Sequence, residues 1–60
     1  MNRKLIGKRN EKGLSQRKMA ELIGISNNNY CLKEQGKLEF HLTEIRKIIE
    51  ILNCNFEDIF

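Results

Sequence analysis

Three consecutive asparagines, Asn27, Asn28 and Asn29, follow Ser26 and the pair Gly24-Ile25. A primary amide both donates and accepts. An asparagine can therefore pair bidentately with N6 and N7 of adenine, each good pair giving about 1–3 kcal/mol of discrimination. Asparagine is also a mediocre helix former, because its amide competes for backbone hydrogen bonds. Short polar residues suit a helix start, which accounts for one or two asparagines better than for three. Three in a row favour a reading role. The stretch from Ser15 to Gly36 gives them a setting of two short helices and a tight turn. Ser15 caps the first helix, Ala20 permits close helix approach, Gly24 supplies the turn, Ile25 plugs the space beneath it and Ser26 caps the second helix. A helix-turn-helix unit of this kind offers the tip of its second helix to base edges in the major groove of DNA.

Other chemistries find less support. The chain has one histidine, His41, and two cysteines, Cys31 and Cys54, at wide and irregular spacing with no C-x-x-C or H-x-x-x-H. No metal site and no cofactor are expected from such ligands. The cysteines read as reduced, small, partly buried side chains. No acid, base and nucleophile form a constellation, so no enzyme is expected.

Charge is distributed unevenly. Up to Lys37 there are nine cations against three anions, a balance of +6; from Leu38 onward two cations face five anions, a balance of −3, which recovers the net +3. A basic front and an acidic rear suit a small domain that lays one side on a polyanion, although a solvated basic surface has the same composition. Sixty residues allow one domain, residues 1–60, with one small core. A chain of that size buries only about 60% of its unfolded surface, and a helical bundle with local contacts is the natural solution. The sequence has no long apolar run, so no membrane span is expected. The opening MNRKLIGKRN lacks a signal-peptide core, which makes the cytoplasm the expected location.

The elements that must carry the asparagines can be read along the chain. A first helix is expected from about Arg3 to Lys12, stopped by Gly13. The second runs from its Ser15 cap to Ile23 with a stripe of Met19, Ala20, Leu22 and Ile23, and the third from its Ser26 cap to Glu34 or Gln35, ended by Gly36. Residues 37–41 form a loop in which Phe40 anchors the core. A fourth helix from Leu42 to Leu52 carries the stripe Leu42, Ile45, Ile48, Ile49 and Leu52, with Ile51 off its centre and Asn53 as the stop. Asn55 and Asp58 open a last short helix, with Phe56, Ile59 and Phe60 facing inward or towards a partner.

An all-α arrangement of five helices, with the helix-turn-helix formed by the second and third, resembles the lambda-repressor-like fold. The chain is similar to the phage Cro and repressor type of regulator, the XRE family. The matching positions are Arg9, the run Gly13-Leu14-Ser15-Gln16, Ala20, Leu22, Gly24-Ile25-Ser26, Tyr30, Glu34 and Gly36, then Leu52 and Phe56 through Phe60.

The resemblance implies roles. Gln16 corresponds to a residue that contacts a phosphate, and Ser26 is expected to do the same. Asn27 and Asn28 stand where base-reading side chains are usual, while Asn29 turns to the side of the helix towards a phosphate. Leu32 shares the face of Asn28 and has two readings, contact with a thymine methyl or a lid on the core. Tyr30 is expected in the core. Lys37 matches a loop position that meets the backbone, and Arg17, Lys18 and Lys33 are phosphate candidates by charge. Arg9 and Glu34 are expected to form an ion pair that ties the reading helix to the scaffold.

Two positions depart from the pattern. Lys33 stands where an apolar residue is usual, and His41 stands where Ser or Thr caps the fourth helix, so that Thr43 is an alternative cap. The implied function is sequence-specific binding of double-stranded DNA by a transcription regulator, expected as a repressor of phage, prophage or mobile-element type. The implied assembly is a homodimer on a palindromic operator, with half-sites about 34–36 Å apart or a multiple of that. Ile51, Ile59 and Phe60 are candidates for its dimer patch, with ordinary core as their alternative. Rival readings are a DNA-binding antitoxin that also grips a toxin protein, and a protein-interaction module.

Overall fold

The computed structural model describes residues 1–60 as four α-helices and one 3-10 turn: α1 (Arg3–Glu11), α2 (Gln16–Ile23), α3 (Asn27–Glu34), α4 (Leu42–Leu52) and the turn Phe56–Asp58. The caps explain the boundaries. Asn2 Oδ1 accepts the Leu5 N–H at 3.1 Å, Ser15 Oγ accepts Lys18 N–H at 3.0 Å and Ser26 Oγ accepts Asn29 N–H at 3.1 Å. Each side chain satisfies one of the amides that a helix start leaves without an internal partner. His41 is the residue before α4, and Glu44 turns back to accept the His41 N–H at 2.8 Å. The Thr43 alternative is not taken.

Gly24 joins α2 to α3 with φ of +91°, a left-handed conformation that a side chain would strain, and its N–H donates to Ala20 O at 2.8 Å. α2 packs against α3 and α4, and α1 packs against the 3-10 turn. Leu5, Met19, Ala20, Ile23, Tyr30, Ile48, Leu52 and Ile59 form the buried apolar cluster, with Leu14, Ile25, Phe40, Ile49 and Ile51 against it. No helix is long and apolar enough to cross a membrane.

Three expectations need correction. The bundle has four helices rather than five. The last element is one turn in which the Ile59 and Phe60 N–H groups both donate to Phe56 O, and Asp58 Oδ2 accepts the Asn55 N–H. Of the two readings of Ile59, dimer patch and core, the structure takes the second. After the turn the chain drops it into the core, fully buried, and Asn2 Nδ2 donates to Ile59 O at 2.7 Å. The α4 stripe is centred on Ile48 and Leu52, which leaves Leu42 roughly 100° off that line and 63% exposed, at 3.6 residues per turn. Leu22 of α2 is exposed for the same reason, lying to one side of Met19 and Ile23.

Candidate nucleic-acid interface

The three asparagines occupy the first turn of α3, and all are exposed. Ser26 caps that turn through the Asn29 backbone, and Asn27 Oδ1 lies 3.9 Å from Cys31 Sγ, leaving the side-chain amides of Asn28 and Asn29 uncommitted within the chain. Ser26, Arg17, Lys18 and Lys37 are exposed as well, Ser26 beside the asparagines and Lys37 beyond the other end of α3. Leu32, one turn beyond Asn28, is half-buried and stands outside the core cluster.

The opposite end of α3 is anchored by charge. Arg9 Nε donates to Glu34 Oε2 at 2.9 Å and Arg9 Nη2 to Glu34 Oε1 at 3.3 Å, a two-pronged pair in which both residues are buried. Tyr30 Oη donates to Glu34 Oε2 and Gln16 Nε2 to Glu34 Oε1, each at 2.8 Å. Arg9 Nη1 also donates to Leu14 O at 2.8 Å. One carboxylate thus joins α1, α2 and α3.

Burial works to raise the Glu34 carboxyl, but the hydrogen bonds from Arg9, Gln16 and Tyr30 and the Arg9 charge hold it below its ordinary value. The Tyr30 hydroxyl is pushed far up, first by burial and then by the Glu34 carboxylate that accepts its hydrogen bond.

The Gln16 side chain points inward. Its carbonyl oxygen accepts from Cys31 Sγ at 3.1 Å while its nitrogen serves Glu34, so Gln16 has its backbone N–H, at the first position of α2, to offer an anion. Lys33 departs further from its expected place. It is buried, with Nζ 2.6 Å from Glu44 Oε1, and cannot reach a phosphate. Burial again works against the Glu44 charge, yet the Lys33 and His41 N–H hydrogen bonds keep this carboxyl below its usual range.

Neither Glu44 nor Cys31 was expected in these roles. The signal for Glu44 was Lys33 itself, because a lysine at an apolar helical position needs a carboxylate in reach and Glu44 borders the α4 stripe. Cys31 gave no such signal. Phe60 is 41% exposed and stacks on exposed Phe56 with ring centroids 5.1 Å apart, whereas Ile51 is half-buried against the core.

The family model of the Cro/C1-type helix-turn-helix DNA-binding domain matches residues 4–60. Among solved structures, the restriction-modification controller protein C.AhdI from Aeromonas hydrophila superposes with a TM-score of 0.82 and 30% sequence identity, over 95% of this chain and 86% of that one. No protein of curated function matches the sequence.

Proposed function

We propose that this chain, which belongs to the Cro/C1-type helix-turn-helix DNA-binding domain family, regulates transcription by reading an operator half-site with the first turn of α3. The observation that carries this reading is the pair of ends of α3. One end presents three exposed amides, and the other is bonded through Glu34 to α1 and α2. A reading element needs side chains free for bases on a support that holds them still. Asn27 and Asn28 take the base edges. Asn29, Ser26, Arg17, Lys37 and the Gln16 backbone amide take phosphates, which position the protein without carrying sequence information. Leu32 lies against a thymine methyl, consistent with its place outside the core cluster.

One module makes a small interface, so a symmetric homodimer on a palindrome completes the reading. Exposed Phe60, stacked on Phe56, supplies apolar surface for it, and half-buried Ile51 is the other candidate. The regulator is of the repressor type found in phages and mobile elements. A second reading is favoured by the 30% identity to a restriction-modification controller, and in it the operator lies before restriction and modification genes.

Selection from a random duplex pool tests the proposal and returns preference, symmetry and half-site spacing together. Asn28→Ala is expected to relax preference at one base position, by about 1–3 kcal/mol, and to leave binding to unrelated duplex intact. Equal loss on every sequence defeats base reading. A tightly co-purifying toxin protein would favour the antitoxin reading, and failure to bind any duplex at low salt would favour an interaction module.

A further inference from the structure

α3 buries three side chains, and two of them are charged: Tyr30, Lys33 and Glu34. A helix usually takes its rotation about its own axis from an apolar stripe pressed into the core. Here one aromatic residue makes up that stripe. Lys33 and Glu34 are consecutive and leave the axis roughly 100° apart at 3.6 residues per turn. Opposite partners take them. Arg9 of α1 holds Glu34 at 2.9 Å and Glu44 of α4 holds Lys33 at 2.6 Å, while Glu44 is itself held by the His41 N–H. Turning α3 by one residue in one sense brings Glu34 towards Glu44, and in the other brings Lys33 towards Arg9. Either leaves buried charge without a counter-charge, which is strongly unfavourable.

Rotation matters unusually here, because Asn27, Asn28 and Asn29 put the same chemical group at three successive angles. A rotated helix would still show an amide to the groove, but from a different position. We infer that the buried Lys33–Glu44 pair locks the rotation of α3 against the Arg9–Glu34 pair and so selects which asparagine faces which base. Lys33 and Glu44 are positioning residues for specificity, an inference that rests on α3 being the base-reading helix.

The test is the double variant Lys33→Met, Glu44→Gln, which keeps the buried stem and keeps an oxygen for the His41 N–H. Affinities for the selected operator and for an unrelated duplex are measured at matched salt, with helical content followed by circular dichroism. Helical content, unrelated-duplex affinity and salt slope are expected to stay as in the wild type. Operator affinity is expected to fall about tenfold. Asn28→Ala should cost less in the variant than in the wild type, a loss of coupling that a merely structural role would not produce. A folded variant with the wild-type ratio of operator to unrelated affinity overturns the lock. Should the double variant lose its helical content, the charge-swapped variant Lys33→Glu, Glu44→Lys is measured in the same way, since it keeps a buried pair yet gives a turned α3 a counter-charge: a lowered ratio supports the lock and an unchanged one overturns it. A wild-type protein without operator preference overturns base reading and the lock together, whereas wild-type preference with an unchanged variant ratio overturns the lock alone.

Discussion

α2 and α3 are both eight residues long, and each follows a serine cap, yet they are held in opposite ways. α2 presses Met19, Ala20 and Ile23 into the core; α3 inserts Tyr30 and ties itself down through Lys33 and Glu34. Apolar packing is strong and weakly directional, whereas a hydrogen-bonded ion pair fixes angles to within a fraction of a turn. The support helix needs adhesion. The helix that carries the asparagines needs aim, and charge supplies it at the risk of leaving an expensive orphan when one partner is lost.

The largest expected effect tests that risk. Glu34→Ala strands a buried guanidinium and the Tyr30 hydroxyl and should lower stability by about 3–5 kcal/mol in urea unfolding. Met19→Ala, the matching truncation in α2, should cost about 2–5 kcal/mol through the cavity it leaves. The comparison breaks if Glu34→Ala is tolerated as easily as a surface change.

Acid separates the two helices more cleanly. Glu34 and Glu44 both lie below the ordinary carboxylate range in the folded protein, so the unfolded chain binds protons first as pH falls. Their contribution is complete above the ordinary carboxylate value and disappears as pH drops through the lowered ones. Met19→Ala should shift the stability curve downward at every pH with its slope kept, while Glu34→Gln should flatten its acid limb. An acid limb as steep as wild type in Glu34→Gln would remove the basis for the contrast.

The smallest effect is a control on the helix ends. Ser15→Ala and Ser26→Ala should each cost about 1 kcal/mol in thermal or urea unfolding. Near-equal losses would confine the difference between α2 and α3 to their buried faces; a much larger loss at Ser26 would mean that α3 depends on its cap rather than its ion pairs.

What the sequence discloses divides along the same line. Helix limits, the Gly24 turn and the exposed asparagines are legible because caps, left-handed stops and helical spacing act within a few residues. The Arg9–Glu34 partnership comes from the family pattern rather than from spacing. The phase of α4 is not legible, since a stripe of five apolar residues fits two centres; the one taken buries Glu44 beside Lys33 and exposes Leu42. The place of Ile59 depends on a long-range fact, the Asn2 bond to its carbonyl across the whole chain. Gln16 is expected at a phosphate because the family pattern puts one there, but its side chain has two inward partners 15 and 18 residues away.

Tyr30 is the sole tyrosine in a chain without tryptophan, and its hydroxyl belongs to the Glu34 knot. The protein therefore carries a built-in optical gauge at the spot where α3 meets its scaffold. Near-ultraviolet dichroism of that phenol, with small phenylalanine bands beside it, follows the tightening or loosening of this junction without any attached label.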